Sequence, residues 1–242
     1  MTPLDGKVIV VTGCAGPAGQ AVVRRLLSDG ATVVGADANP TALATLVGSL
    51  GVEAARFTGQ SVDLLDNSAT QQWSRDVVAG QGHIDGIVHL VGGWRGGKTF
   101  NDNTFADSDL LFSLLVKTLQ TVSLAFHDAL VASSQARFVI ISATAAQAPT
   151  AGNASYAAAK AAAEAWTFAL ADSFAKVQAD GQLRAAATVL VIKALLTDQM
   201  KVDKPEAKFA GYTHVDVLAD QIAGLWDRSA SDLNGVRLPL SP

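Results

Sequence analysis

Tyr156 and Lys160 are the two side chains whose types and spacing best suit proton transfer. They lie four residues apart in SYAAAK, so a helix would place both on one face. A phenol can donate or accept a proton, and a nearby ammonium group lowers the pKa of that phenol. The pair therefore predicts an acid/base function. The alternative is two unrelated residues on an alanine-rich helix.

A glycine-rich loop, VTGCAGPAGQ, lies between an apolar run and a helical pattern near the start of the chain. Glycine permits positive φ and lets a pyrophosphate approach the backbone, and a helix that begins there attracts anions. Proline suits the first helical turn, where its missing N–H costs little. The loop predicts dinucleotide binding rather than an ordinary turn, and the candidate cofactor contacts in it are Gly13, Gly16, Pro17, Ala18 and Gly19.

Asp37 ends the second apolar run, 24 residues after Gly13. A carboxylate at this place can accept both ribose hydroxyls of adenosine and repels a 2′-phosphate. No Arg or Lys stands at positions 38 and 39. These features favour NAD(H) over NADP(H), although an aspartate before Asn-Pro is also typical of a turn.

Short apolar runs alternate with helical patterns along the whole chain. Continuous apolar runs such as KVIVVTG and RAAATVLVI are typical of parallel strands that helices cover on both faces. The predicted fold class is α/β, a doubly wound parallel sheet of about seven strands, in a single domain spanning residues 1–242. One long apolar helix is predicted between Asp107 and Ser133.

Composition excludes several classes of protein. Hydrophobic residues make up 49% of the 242 residues and charged residues 17%, which argues against disorder. The net charge of −4, with no basic block, makes a nucleic-acid partner unexpected, and no apolar run of about 18 residues predicts a membrane span. The single cysteine, Cys14, fits a reducing cytoplasm, and the four histidines share no metal-ligand spacing, so no metal is expected.

With these features together, the chain resembles the short-chain dehydrogenase/reductase family, through TGCAGPAG, Asp37, VDL, LVGG and SYAAAK. The resemblance implies a Rossmann fold and hydride transfer between a nicotinamide cofactor and a carbonyl or alcohol of a small-molecule substrate. Tyr156 would be the general acid/base, and Lys160 would lower its pKa and hold the nicotinamide ribose. The resemblance also implies a homodimer or a homotetramer.

Further cofactor contacts follow from the resemblance position by position. Residues after the third predicted strand would contact adenine, those after the fourth would pass the adenosine ribose, and a threonine after the sixth would lie near the carboxamide or phosphates. These residues are Asp63 and Leu64, then Leu90, Val91 and Gly92, and finally Thr197.

The sequence departs from the family pattern where the catalytic serine is expected, thirteen positions before the tyrosine. Ala143 stands there, with Ser142 and Thr144 on either side. Adjacent side chains of a strand point to opposite faces, so either hydroxyl needs a shifted loop to reach the site. The loss of such a donor costs on the order of a hundredfold in rate. The alternative function is a catalytically impaired NAD(H)-binding protein that acts as a sensor or partner subunit.

Overall fold

The computed structural model describes residues 3–179 and 181–240. At its centre, seven strands form one parallel sheet in the order β3-β2-β1-β4-β5-β6-β9, and two further strands, β7 and β8, form a separate short ladder. The strands are β1 (Val8–Thr12), β2 (Thr32–Asp37), β3 (Phe57–Ser61), β4 (Gly86–His89), β5 (Ala136–Ala143), β6 (Ala185–Ile192), β7 (Leu195–Leu196), β8 (Thr213–His214) and β9 (Val236–Pro239). The predicted doubly wound α/β class is confirmed.

Helices cover both faces of the sheet. The helices are α1 (Pro17–Ser28), α2 (Pro40–Ser49), α3 (Asn67–Gln81), α4 (Phe105–Phe112), α5 (Thr118–Ala132), α6 (Ala154–Val177), α7 (Asp198–Asp203), α8 (Val215–Ala223) and α9 (Ala230–Leu233). One apolar core joins the sheet to α1, α2, α8 and α9, and a second joins it to α3, α5 and α6. Two-sided coverage explains why every residue of β1 and β6 is buried.

The strand order reverses at β1, whose neighbours are β2 on one side and β4 on the other. Chain segments that leave these strands diverge there and open a crevice at the carboxyl ends of the strands, where open α/β sheets bind ligands. The glycine-rich loop follows β1, and α6 follows β5. The fold therefore brings the two sequence motifs to the same edge of the sheet.

The single long helix predicted between Asp107 and Ser133 is interrupted. A π-helical turn, Ser113–Lys117, joins α4 to α5 within one helical stretch, Phe105–Ala132. The Thr118 hydroxyl donates to the carbonyl of Leu114 at 2.7 Å and lies 3.2 Å from the ring of His89. A tertiary contact at this turn is a feature that helical periodicity does not encode.

The stretch Phe105–Ala132 is also long and apolar enough, by composition, for a membrane span, although no such run was expected from the sequence. The core helix of a globular fold has the same length and composition. The α5 part of the stretch packs into the core on α3 and α6, which accounts for much of its apolar character.

Candidate active site

Two glycines fix the path of the loop after β1. Gly13 has a φ of +71°, and a Cβ there would lie 3.0 Å from the backbone of Leu90 and Val91. A Cβ on Gly19 would lie 2.2 Å from the carbonyl oxygen of Gly13, so α1 can approach the loop only with glycine at this position. At Gly16 a Cβ would meet nothing closer than 3.5 Å. The first two glycines are thus required by the fold, whereas Gly16 leaves space beside the loop.

The first turn of α1 offers backbone donors to an anion. Gly16 is the N-cap and provides no side-chain cap, and Pro17 occupies the first turn, where no N–H is needed. The N–H groups of Ala18 and Gly19 therefore stand at the positive end of a 12-residue helix without a capping side chain. This arrangement suits a pyrophosphate.

Asp37 links the end of β2 to the glycine loop. One carboxylate oxygen accepts the backbone N–H of Ala15 at 3.0 Å, and the other accepts that of Asn39 at 3.0 Å. The carboxylate is therefore held in place before any ligand arrives, and each oxygen keeps a further lone pair. Beside it, burial and the charge of Asp37 raise the pKa of the Cys14 thiol to about 12, which makes Cys14 a packing residue rather than a nucleophile.

The expected adenine contacts differ in exposure. Asp63 is exposed, and one of its carboxylate oxygens accepts the N–H of Leu65 at 2.9 Å. The Leu64 side chain is buried in the core, and its carbonyl accepts the Thr121 hydroxyl at 2.6 Å. Asp63 can thus offer its side chain to a ligand, whereas the Leu64 side chain faces the interior.

The expected ribose contacts follow β4, which ends at His89. The N–H of Leu90 donates to the carbonyl of Thr12 at 3.0 Å, so the chain stays beside β1 for one more residue. Val91 is half-buried and Gly92 is exposed. Backbone of this segment therefore runs along the crevice next to the glycine loop.

The Tyr156 and Lys160 side chains lie together on α6. The Lys160 ammonium is 5.8 Å from the centre of the Tyr156 ring and donates to the carbonyl of Ile141 at 2.6 Å. Burial lowers the pKa of Lys160 to about 8, and the carboxylate of Glu164 opposes this shift. The ring of Tyr156 packs on the apolar side chains of α4 and the π-helical turn.

The expectation that Lys160 lowers the pKa of Tyr156 needs a correction. Burial raises the pKa of the Tyr156 phenol to about 12. The lysine ammonium is directed at a backbone carbonyl of β5, and this geometry leaves desolvation of the phenol as the main effect. The phenol is therefore protonated throughout the neutral range.

The structure also corrects the expectation for Ser142, because it separates the two candidate hydroxyls. The Ser142 hydroxyl is only 1% exposed and donates to Glu164 at 2.5 Å, so it does not reach the crevice. Thr144 is exposed, at the start of a short 3-10 turn that follows β5. Between them, Ala143 ends the strand with no polar group in its side chain. Thr144 is thus the hydroxyl that remains available.

Glu164 and Arg237 are functional candidates that the sequence did not reveal. The Arg237 guanidinium, on β9, donates from Nε to the two Glu164 oxygens at 3.2 and 3.0 Å. Glu164 is only 5% exposed and lies one helical turn after Lys160. The spacing of eight residues after Tyr156 was the one available signal, since it places Glu164 on the same face of α6.

His89 lies fully inside, between two threonine hydroxyls. Its Nδ1 is 2.7 Å from the Thr12 hydroxyl, and its Nε2 is 3.2 Å from that of Thr118. Burial, and then the charge of Lys160, lower the pKa of His89 to about 3, so the ring is neutral. Because the Thr118 hydroxyl donates elsewhere, the network assigns the proton to Nε2 and makes Nδ1 the acceptor.

The loop between β4 and α4 is joined to the segment that precedes Tyr156. The Gly97 N–H donates to the Gly152 carbonyl at 2.8 Å, and a Cβ on Gly152 would lie 2.2 Å from the carbonyl oxygen of Gly97. The Asn103 side chain donates to the Ala151 carbonyl at 2.8 Å and accepts the Ser155 N–H at 3.2 Å. These contacts make one compact wall beside the tyrosine.

Thr197 begins α7 beyond β6. Its hydroxyl accepts the N–H of Met200 at 3.2 Å and so caps this helix. The ladder of β7 and β8 joins the two ends of the segment that contains α7. The Lys193 ammonium donates to the Ala210 carbonyl at 2.8 Å within this segment. Thr197 therefore lies at the start of a segment whose two ends are held together by strand pairing.

Within residues 3–179 and 181–240, no group of three or more His, Cys, Asp or Glu side chains could hold a metal ion.

Comparison with known proteins defines the class of this fold and site. The model of the short chain dehydrogenase family matches residues 7–190, about three quarters of the chain. The chain belongs to the short-chain dehydrogenase/reductase family.

Individual relatives match a smaller part of the chain than the family model does. The 2,3-dihydro-2,3-dihydroxybenzoate dehydrogenase of Bacillus subtilis is 28% identical over 166 residues, which cover 68% of this chain and 62% of that protein. The D-threitol dehydrogenase of Mycolicibacterium smegmatis is 33% identical over 89 residues, which cover 37% of this chain and 34% of that protein. The chain thus matches less than two thirds of the length of these relatives.

Solved structures agree in fold across the whole chain. An NAD+-bound xylitol dehydrogenase superposes with a TM-score of 0.84 at 19% identity, covering 98% of each chain. An NADPH complex of a short-chain dehydrogenase from Escherichia coli gives 0.86 at 18% identity, covering 100% of this chain and 99% of that one. At these identities the likeness shows the fold alone.

Proposed function

We propose that this protein is an NAD(H)-preferring oxidoreductase that transfers a hydride between the nicotinamide and a carbonyl or alcohol carbon of a small molecule. The observation that carries the proposal is the placement of Tyr156 and Lys160 on α6, at the sheet edge where the glycine loop lies. Family membership supports the same reaction class.

The residues of the crevice fit an adenine dinucleotide. Gly16 leaves room beside the loop, and the uncapped first turn of α1 presents N–H groups suited to a pyrophosphate. The pre-oriented carboxylate of Asp37 would accept ribose hydroxyls. The bound cofactor would supply or accept the hydride, and Lys160 would hold its ribose hydroxyls.

The charge at the end of β2 decides the expected choice between NAD(H) and NADP(H). Asp37 is anionic, and residues 38 and 39 carry no cation that could meet a 2′-phosphate. One of the structural neighbours is an NAD+ complex and another is an NADPH complex. The preference for NAD(H) therefore depends on the charge of Asp37 and on the absence of a cation at residues 38 and 39.

The site residues divide the proton chemistry among them. Tyr156, with its pKa raised to about 12, holds its proton at neutral pH and is ready to donate it to a carbonyl oxygen that gains negative charge. The ammonium of Lys160 lies 5.8 Å from the ring centre, where its attraction for the phenolate that remains is smaller than the desolvation that raises the pKa of the phenol. Thr144 is the side-chain hydroxyl left to polarise the carbonyl, because that of Ser142 is bound to Glu164.

A second candidate function is a nucleotide-binding protein with little turnover. The specific observation in its favour is the lack of a donor at Ala143 together with the buried position of Ser142. Such a protein would keep the crevice for the dinucleotide and would lack a polarised carbonyl site.

A substitution of Tyr156 by Phe separates the two candidates. Turnover is measured with NAD+ and the polyols xylitol and threitol, which are named for two relatives, and with a panel of small ketones and NADH. We expect a loss of about a hundredfold or more in kcat with unchanged NADH affinity by isothermal titration calorimetry. Tyr212→Phe, which keeps the ring that packs on Phe209, is the matched control.

Equal turnover in Tyr156→Phe and the parent protein would show that the tyrosine is not the acid. Binding of NADH without turnover on any substrate in the panel would favour the second candidate. The cofactor choice has its own test, because Asp37→Asn keeps an oxygen acceptor and removes the charge. We expect this substitution to narrow the ratio of NADH to NADPH affinity, and tighter NADPH binding by the parent protein would overturn the preference.

The proposal includes a homodimer or homotetramer in the cytoplasm. Apolar side chains on the helical stretch Phe105–Ala132 support assembly, since Phe105 is 92% exposed and Leu124 is 60% exposed. Size-exclusion chromatography with light scattering measures the state of assembly, and a monomer would contradict this part.

A further inference from the structure

Two consecutive residues of strand β5 form hydrogen bonds with side chains of helix α6. The carbonyl of Ile141 accepts the Lys160 ammonium at 2.6 Å, and the hydroxyl of Ser142 donates to Glu164 at 2.5 Å. Lys160 and Glu164 are one helical turn apart on α6. One strand therefore fixes the lysine and the carboxylate with adjacent groups.

Glu164 is held from a second direction by the guanidinium of Arg237. Arg237 pairs in register with Val189 of β6 and reaches past that strand to both Glu164 oxygens. A terminal nitrogen of Arg237 also lies 3.4 Å from the carbonyl of Ala143. The buried carboxylate thus has two donors and cannot turn towards the crevice.

A buried carboxylate at this depth carries a desolvation cost that packing alone does not require. Its position next to Lys160 gives it a function, since a buried ammonium is unstable without a nearby negative charge. We propose that Glu164, anchored by Ser142 and Arg237, is a positioning residue that keeps Lys160 in its ammonium form on the Ile141 carbonyl. This proposal rests on the function proposed for Lys160 above.

The groups that face Lys160 from each packed element leave Glu164 as its source of negative charge. His89 of β4 is neutral, Tyr156 of α6 is a protonated phenol, and β5 contributes no charged side chain, only isoleucines and the Ser142 hydroxyl. Leu115 of the π-helical turn and Leu119 of α5 line a small cavity that Lys160 also lines. Arg237 is the positive charge of this cluster, and it pairs with Glu164 at 3.0 Å.

This arrangement predicts the effect of removing the carboxylate charge. Glu164→Gln removes the negative charge, so the pKa of Lys160 should fall from about 8 by on the order of one pH unit. A purely structural role of this cluster would leave the pKa of Lys160 unchanged.

The experiment is an NMR titration of lysine side chains labelled with 13C at Cε, from pH 6 to pH 11. The Lys160 signal is assigned by its loss in Lys160→Met. Asp172→Asn is the matched control, because Asp172 is an exposed carboxylate of the same helix and pairs with Lys176 at 2.7 Å. Its substitution should leave the midpoint of Lys160 unchanged.

An unchanged or higher midpoint in Glu164→Gln would overturn the proposal. A shift in Asp172→Asn equal to that in Glu164→Gln would overturn it as well. Ser142→Ala, which keeps both charges, supplies a milder variant and should shift the midpoint less than Glu164→Gln does. The titration needs no turnover, so it gives an answer even if the protein transfers no hydride.

Discussion

Replacement of Lys160 by Met tests how strongly the fold penalises the buried ammonium. Methionine fills a similar volume and carries no charge, so the substitution removes one titrating group from the core. The pKa of Lys160 is about 8 in the folded protein against 10.5 in its ordinary state. Burial is the main cause of this lowered pKa, and the Ile141 carbonyl accepts a hydrogen bond from the ammonium.

The sign follows from proton binding. Between pH 8 and pH 10.5 the unfolded chain binds a proton at Lys160 that the folded chain has lost. The free energy of unfolding therefore increases as pH rises through this interval. At about 1.4 kcal/mol for each pH unit, the interval corresponds to about 3 kcal/mol in total. We expect the free energy of unfolding of the parent protein, relative to Lys160→Met, to rise by about 2 to 3 kcal/mol between pH 7 and pH 10.

Urea unfolding, followed by tryptophan fluorescence and circular dichroism at each pH, measures this difference. The raised pKa values of Cys14 and Tyr156 also affect stability above pH 9, but both groups are present in both proteins and cancel in the comparison. Lys176→Met is the control, since Lys176 is exposed on the same helix and should give a flat difference. A Lys160→Met difference that stays flat, or falls with rising pH, would refute the reasoning.

Three further predictions concern close packing. Gly19→Ala should destabilise the protein by at least about 2 kcal/mol in the same urea titration and weaken NADH binding, because its Cβ would collide with the backbone of the glycine loop. Gly48→Ala is the control, since Gly48 lies in a helix with open space around it, and it should leave stability unchanged or raise it. Gly152→Ala should lower activity more than global stability, because its Cβ would separate the two segments that wall the tyrosine; equal loss of both would contradict this. Cys14, with a pKa raised to about 12, should react with iodoacetamide at pH 8 only as fast as the protein unfolds, and rapid stoichiometric labelling of the native protein would be inconsistent with its burial.

The sequence was sufficient for those features that depend on local pattern. Continuous apolar runs predicted a parallel sheet, and the glycine spacing predicted a strand-loop-helix unit whose Gly19 proves sterically required. The four-residue spacing of Tyr156 and Lys160 predicted a shared helix face, and the two side chains lie together. Alternation along a strand also made Ser142 a poor substitute for a hydroxyl at 143.

Features that depend on contacts between distant residues were beyond the sequence. Glu164 lies 22 residues after Ser142 and 73 before Arg237, and no local pattern joins the three. The raised pKa of Tyr156 results from burial, which the spacing to Lys160 does not encode. The π-helical turn likewise depends on a contact between Thr118 and His89 from another strand.

The junction of Gly97 with Gly152 limits how the crevice beside Tyr156 can change its shape. Any side chain larger than hydrogen at position 152 collides with the facing backbone, so the two segments must vary together. Insertions or deletions in the loop after β4 would also displace the segment that leads into Tyr156. Diversification is therefore easier at side chains that protrude from this wall, such as the 58% exposed Trp94, than by altering the length of the loop.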